Sequence, residues 1–179
     1  HTPIAALSPE IAEQSVTHIA PSKTFNTAGL FCGFAIIPNS EMRERCQKAA
    51  EQMTLHVNSL GLVAAQAAFS GACDDWLEEL LAYLTTNRDI VTNYVQENMP
   101  EISLTVPDAT YLSWLDFNPL LESGKITGTP FEFFLNEAKV ALSDGSPFGP
   151  GGEGFVRLNF ACPRSILEEA LERIRQSLS

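Results

Sequence analysis

The 179 residues carry 11 basic against 22 acidic side chains, a net charge of −11 at pH 7, which excludes nucleic acid and anionic membrane surfaces as expected partners. A hydrophobic share of 45% supports a packed core, enough for one ordinary domain or two small ones. No apolar run reaches membrane-spanning length and no charged leader precedes a cleavage site, so the chain reads as cytoplasmic, without a membrane partner.

From the start of the chain, Ser8-Pro9-Glu10 marks a short helix, with Ser8 as cap and Pro9 in the first turn. Ser15 to Ala20 reads as a strand that Pro21 ends, and Pro21 also sets the turn that presents Ser22 and Lys23. Phe25 is expected to anchor that turn in the core. Leu30 to Ile37 is almost wholly apolar, which predicts a strand buried on both faces. Lys23 would then sit, partly dehydrated, between two buried elements. Such an amine serves as a nucleophile and can form a Schiff base. Turn position alone equally allows a solvated lysine with no chemical role.

Asn39 and Ser40 predict a helix start, and Met42, Cys46, Ala49, Ala50 and Met53 repeat at helical spacing to about His56 as a core face. Glu41, Arg43, Glu44, Arg45 and Lys48 form its solvated face. The alanine-rich Leu60 to Ser70 reads as a buried helix allowing close backbone approach, ended by Gly71. A longer helix opens at Asp74, with Leu77, Leu80, Leu81, Leu84, Val91 and Val95 on one face, and closes at Met99-Pro100. A domain boundary is expected there, between residues 1–98 and 99–179.

Beyond it the period changes. Ile102, Leu104 and Val106 alternate, Pro107-Asp108 makes a turn, and Thr110 to Phe117 alternates again, which predicts two antiparallel strands. Tyr111 and Trp114 there are candidates for core and for site alike. A helix is expected over Phe131 to Leu142, and Ser143 to Gly154 is too rich in Gly and Pro for regular structure. Phe155 to Ala161 reads as a strand with Val156, Leu158 and Phe160 on its core face. Its other face presents Arg157 and Asn159. A guanidinium fork and an amide two residues apart suit a planar carboxylate, although periodicity alone also allows an arginine paired with a structural Asp or Glu. A final helix carries Ile166, Leu167, Ala170, Leu171, Ile174 and Leu178 on its apolar face. Cys32, Cys46, Cys73 and Cys162 share no ligand spacing, and His1, His18 and His56 stand near no cysteine pair or suitably spaced glutamate. Buried free thiols and no metal site are expected.

Pro-Ser-Lys-Thr-Phe-Asn-x-Ala-Gly-Leu at Pro21 to Leu30 resembles the cofactor-lysine segment of pyridoxal-phosphate enzymes of the aspartate aminotransferase fold, in the branch of cystathionine β-lyases and related C–S lyases. His1 to Glu10 and Glu153 to Ala170 resemble the same branch, so the likeness runs from end to end. It implies an α/β fold, the C-terminal portion of a fold-type-I enzyme: the end of the large-domain sheet plus an α+β small domain. It also implies Lys23 as the cofactor lysine and the base that takes the substrate's α-proton, and Ser22 as a cofactor contact at the phosphate. Arg157 would hold the α-carboxylate of an amino-acid substrate, with Asn159 beside it. The implied activity is α,β-elimination from sulfur amino acids to a 2-oxo acid, ammonia and a thiol; an aminotransferase would use the same lysine and arginine.

In the family, the phosphate cup, the aromatic ring stacked on the cofactor and the aspartate at the pyridine nitrogen lie in an N-terminal half that precedes anything like His1. Leu30, Phe31 and Cys32 also occupy the region where many relatives carry a further arginine. The chain alone is therefore expected to be catalytically incomplete, with the missing N-terminal half of the same protein as a partner. A non-enzymatic folding or assembly module is the rival reading. An open sheet edge predicts self-association in either case, and a homodimer is expected.

Overall fold

The computed structural model describes residues 1–179. Packing divides the chain into two compact units, His1–Glu79 and Leu80–Ser179.

In the first unit a 3-10 turn, Ile4–Ala6, leads into α1, Pro9–Glu13, whose cap Ser8 accepts a hydrogen bond from the Ile11 N–H. Strands β1, Thr17–Ile19, and β2, Phe34–Ile36, pair antiparallel with Thr17 opposite Ile36. The sequence leads to longer strands over Ser15 to Ala20 and Leu30 to Ile37, the second buried on both faces, and the structure corrects this. Ile19 is 41% and Ile36 51% exposed, because this ladder has only two strands and neither is covered on both sides within the unit. Helix α2, Ser40–Gln52, starts where expected: Asn39 Oδ1 accepts the Met42 N–H at 2.9 Å. Its expected core face is not buried, since Cys46 is exposed and Met53 is 64% exposed. Periodicity identified the face, but no element of the unit packs over it. Helix α3, Ser59–Ala68, buries Gly61, Ala65 and Ala68 alone. A Cβ on Gly61 would stand 2.5 Å from the Leu30 carbonyl oxygen, so this is the close backbone approach the alanine-rich stretch implied.

Helix α4, Asp74–Asn98, begins in the first unit and continues into the second, where it buries Asn87, Val91, Thr92 and Val95. The rest of the second unit comprises β3, Ser103–Thr105; β4, Leu112–Asp116; α5, Asn118–Glu122; α6, Pro130–Phe133; β5, Ser143–Asp144; β6, Phe155–Asn159; and α7, Arg164–Ser177. The strands form an antiparallel sheet in the order β3-β4-β6-β5. Alternation along β4 and β6 sends Leu115, Val156 and Leu158 into a core with Phe117, Phe134, Phe160, Leu167, Leu171 and Ile174. The helix expected over 131–142 is shorter. α6 widens into a π turn, Phe134–Ala138, and Lys139 ends it in the left-handed region at φ 56°, freeing Ser143 and Asp144 to pair with β6. The Gly/Pro-rich stretch accordingly holds that short strand and a 3-10 turn at Ser146–Phe148.

Side-chain bonds tie α4 to the rest of this unit. Asn87 Nδ2 donates to the carbonyls of Phe160 at 2.9 Å and Cys162 at 3.1 Å, and Tyr83 Oη accepts the Arg164 N–H at 2.7 Å. Tyr94 donates to Glu172 on α7, which also pairs with Arg175 at 2.6 Å. The Arg175 bond and then the Tyr94 bond hold the Glu172 carboxyl down at about 2, while burial, followed by the bond to Glu172, pushes the Tyr94 hydroxyl up. All four cysteines are free, but only Cys32 is buried; Cys46 is exposed and Cys73 and Cys162 are partly covered. The expectation of four buried thiols fails for the same reason as the face of α2: apolar neighbours in sequence do not supply a covering layer. No helix is long and apolar enough to cross a membrane.

Candidate active site

The lysine turn joins β1 to a 3-10 turn at Ala28–Leu30. Pro21, buried, accepts the Phe25 N–H at 2.9 Å, and the Ser22 carbonyl accepts the Thr27 N–H at 3.1 Å. Asn26 takes the left-handed region at φ 53°, closing the turn. Phe25 is half-buried, stacked on Trp76 at 6.0 Å and edge-on to Phe69 at 6.4 Å; it anchors the turn, but on rings that are themselves 47% and 54% exposed rather than in a core as expected. Ser22 is partly covered and Lys23 is exposed. The expected partial dehydration of Lys23 is thus corrected, because the flanking strands are themselves uncovered. A groove of about 560 Å³ next to the turn is lined by Thr24, Phe25, Phe69 and Asp74, and by neither Lys23 nor Ser22.

An aldehyde cofactor needs an amine that is reachable and unpaired. Lys125 binds the Glu101 carboxylate at 3.2 Å and Lys139 donates to the Asn136 carbonyl at 2.6 Å, whereas Lys23 and Lys48 make no such bond within their unit, and of these two Lys23 alone lies in the Pro21 to Leu30 turn. Hydroxyls of Ser22 and Thr24 flank it. No guanidinium joins them: Arg43 spends its Nη1 on the carbonyls of Ile37 at 2.7 Å and Pro38 at 3.0 Å. This donor set fits the aldehyde end of pyridoxal phosphate and offers hydroxyls alone toward its phosphate.

In the second unit, β6 places Arg157 opposite Trp114 on β4 and Ser143 on β5. Arg157 is half-buried, and its Nη2 donates to Ser143 Oγ at 3.4 Å. Its guanidinium carbon stands 4.7 Å over the Phe148 ring. The alternative of a structural acid partner does not hold in this unit, since the four ion pairs formed do not include Arg157. The two carboxylates carried by β4 and β5 bond to turns: Asp116 accepts the Asn118 N–H at 2.9 Å, and Asp144 accepts the Ser146 N–H at 3.3 Å. Asn159, exposed, accepts the Ala161 N–H at 2.8 Å through Oδ1, which leaves its amide N–H groups free. It borders a cavity of about 410 Å³ together with Leu142, Cys162, Ile166 and Arg173. Trp114 belongs with the arginine rather than the core: it meets Phe148 edge-on at 5.5 Å and stacks on Phe155 at 5.6 Å. Sequence reasoning left Phe148 and Ser143 out. Ser143 could have been found from the register of β5 against β6, whereas nothing local marks a phenylalanine in a glycine-rich loop.

No cluster of His, Cys, Asp or Glu able to hold a metal ion is present. A family model described as aminotransferase class I and II matches residues 6–174. The chain is 38% identical over 180 residues to cystathionine beta-lyase PatB of Bacillus subtilis, an alignment that covers 100% of this chain and 46% of that protein. Among solved structures, it is similar to a putative PLP-dependent beta-cystathionase from Corynebacterium diphtheriae, at TM-score 0.90 and 39% identity over 99% of this chain and 46% of that one. It is also similar to cystalysin from Treponema denticola, a structure containing pyridoxal 5'-phosphate, at TM-score 0.88 and 33% identity over 99% of this chain and 44% of that one. The chain therefore spans less than half the length of these relatives.

Proposed function

The chain belongs to the class I and II aminotransferase family, with the fold-type-I architecture of pyridoxal-phosphate enzymes, and from that premise we propose that it is the C-terminal part of a C–S lyase of the cystathionine β-lyase type. In this reading residues 1–98 complete the large domain and 99–179 form the small one. The observation that carries the proposal is Arg157, a half-buried guanidinium in this family with no carboxylate of its own unit to neutralise it. Its free N–H groups donate to the substrate's α-carboxylate, a planar, two-point acceptor. Asn159 adds an amide beside it. Lys23 supplies the amine that holds the cofactor aldehyde and then takes the proton from the substrate's Cα. Ser22 donates toward the cofactor phosphate. When bound, pyridoxal phosphate supplies the electron sink for the Cα carbanion. The Cβ–S bond then breaks with its electron pair on sulfur, the thiolate is protonated, and the remaining enamine hydrolyses to a 2-oxo acid and ammonia.

A homodimer in the cytoplasm is part of this reading, supported by the exposed apolar surface of the first unit and by four free cysteines. Transamination is the second reading, favoured by the family description and by the fact that it needs the same lysine and arginine. The deciding experiment uses the full-length protein with pyridoxal phosphate. Release of pyruvate and thiol from cystathionine, with borohydride fixing the cofactor on Lys23, supports the lyase. Amino-group transfer to a 2-oxo acid without thiol release replaces it with the aminotransferase, and label scattered over other lysines removes Lys23 from the site.

A further inference from the structure

Half-buried arginines ordinarily gain a carboxylate partner, because desolvation leaves an unpaired cation costly. Arg157 has instead an aromatic one. Its guanidinium carbon lies 4.7 Å over the Phe148 ring, and Phe148 is itself braced edge-on by Trp114 at 5.5 Å, with Phe155 stacked behind Trp114 at 5.6 Å. A ring face attracts the cation through its quadrupole and consumes none of its N–H donors. A carboxylate in the same place would occupy the fork and compete with any acid that arrived from solution.

The loop that carries Phe148 is closed on itself. The Gly145 N–H donates to the Phe155 carbonyl at 3.0 Å, the Phe148 N–H to the Gly145 carbonyl at 2.9 Å, and the Gly152 N–H to the Gly149 carbonyl at 3.1 Å. A Cβ on Gly152 would stand 2.2 Å from the Gly145 carbonyl oxygen, and one on Gly145 would stand 2.3 Å from that of Gly152. The two glycine backbones thus meet face to face at the base of the loop, and only glycine at both positions permits it. Phe148, at its tip, remains 56% exposed. Apolar burial therefore does not account for the ring's position; the loop and the guanidinium do.

We propose that Phe148 is the positioning residue for Arg157: from the glycine-pinched loop Gly145–Gly152 it replaces a counter-carboxylate, holding the guanidinium plane while leaving the fork's donors for the substrate's α-carboxylate. This rests on the reading of Arg157 as the carboxylate grip, and the two can fail separately.

The test is made in the full-length holoenzyme with two probes, L-alanine and L-alaninamide, which differ only in the carboxylate. Phe148→Leu keeps apolar bulk and removes the quadrupole. It is expected to weaken L-alanine binding in calorimetry by about 3- to 10-fold while leaving L-alaninamide within about twofold, a range set by the strength of cation–π contacts. For the turnover substrate KM should rise by a similar factor with kcat little changed. Phe148→Tyr should restore the parent values. Gly152→Ala, which moves the loop without altering ring or guanidinium, should reproduce the carboxylate-specific loss. If Arg157→Met leaves L-alanine binding intact, the grip itself is misassigned and the proposal falls with it. If Arg157→Met weakens L-alanine but Phe148→Leu and Gly152→Ala do not, the role of Phe148 alone is overturned. Equal weakening of both probes by Phe148→Leu would make the ring a structural support and would also overturn it.

Discussion

The units His1–Glu79 and Leu80–Ser179 bury their apolar side chains to very different extents. The first covers only Cys32, Ile37, Ala65 and Ala68 among its hydrophobic residues, and leaves Phe31 82%, Leu60 68% and Val63 64% exposed. The second closes a continuous core from Val91 to Leu178 around a four-stranded sheet. Local signals are equally clear in both: helix caps, turn residues and alternation form where expected. What differs is the number of layers, since a helix or a two-stranded ladder buries one face only against a second element. The comparison also separates chemistry from stability. The reactive amine of the proposal sits in the unit with little core, and the carboxylate grip sits in the unit that has one.

The largest effect expected to sharpen this contrast is on activity. Lys23→Ala in the full-length protein should lower elimination by about 10²- to 10⁴-fold, the usual share of a positioned base. Because Lys23 is exposed, the thermal midpoint of the cofactor-free protein should not move, whereas any stabilisation that the bound cofactor adds is lost with the amine that holds it. A large fall in that midpoint would make Lys23 a structural residue and break the division.

On stability, Phe134→Ala should cost about 3–5 kcal/mol, the range for removing a fully buried aromatic, since this ring is fully buried and packs on Phe117 at 4.8 Å. The matching change in the first unit, Phe31→Ala, should stay within about 0.5 kcal/mol, as for surface positions generally. Denaturant titration compares them, and similar costs would show that Phe31 is covered in the assembled protein. Gly61→Ala should fall between, at about 1–3 kcal/mol as for overpacking, because its Cβ would meet the Leu30 carbonyl oxygen. Hydrogen exchange should localise that loss to α3.

The smallest effect concerns pH. Glu172 titrates at about 2 in the folded chain against an ordinary 4.5, chiefly through Arg175. The unfolded chain therefore takes up the proton first as pH falls. The stabilisation is complete above about 4.5 and disappears as pH drops toward 2. Glu172→Gln should flatten that part of the stability profile by lowering stability at neutral pH, where the charged bond is fully formed, while leaving stability near pH 2 little changed; an unchanged acid limb would show that the bond to Arg175 adds nothing in solution.

Much of the fold was legible because short-range chemistry decides it. Ser8 and Asn39 cap the helices that follow them since an N-cap oxygen bonds an N–H three residues on, whatever surrounds it. Val156, Leu158 and Phe160 face the core since a strand alternates. The burial of α2 was not legible, because its apolar stripe specifies a face and not a neighbour. Nor was the π turn at Phe134–Ala138, which one extra residue per turn creates where Phe134 and Ala138 both reach the core. In the site, Arg157 and Asn159 were readable as residues of the strand face that turns from the core, whereas the partner of Arg157 was not.

From the sequence come the helix starts at Ser8 and Asn39, the faces that are apolar, and the family resemblance carried by the Pro21 to Leu30 turn and the Arg157 strand. Tertiary structure decided which of those faces is covered, that Lys23 is exposed, and that an aromatic ring rather than an acid holds Arg157. The physical reason is range. Caps, turns and alternation act over a few residues of chain, while burial and the pairing of a guanidinium with a ring nine residues earlier, across a folded loop, require strands and glycine backbones to be brought together first.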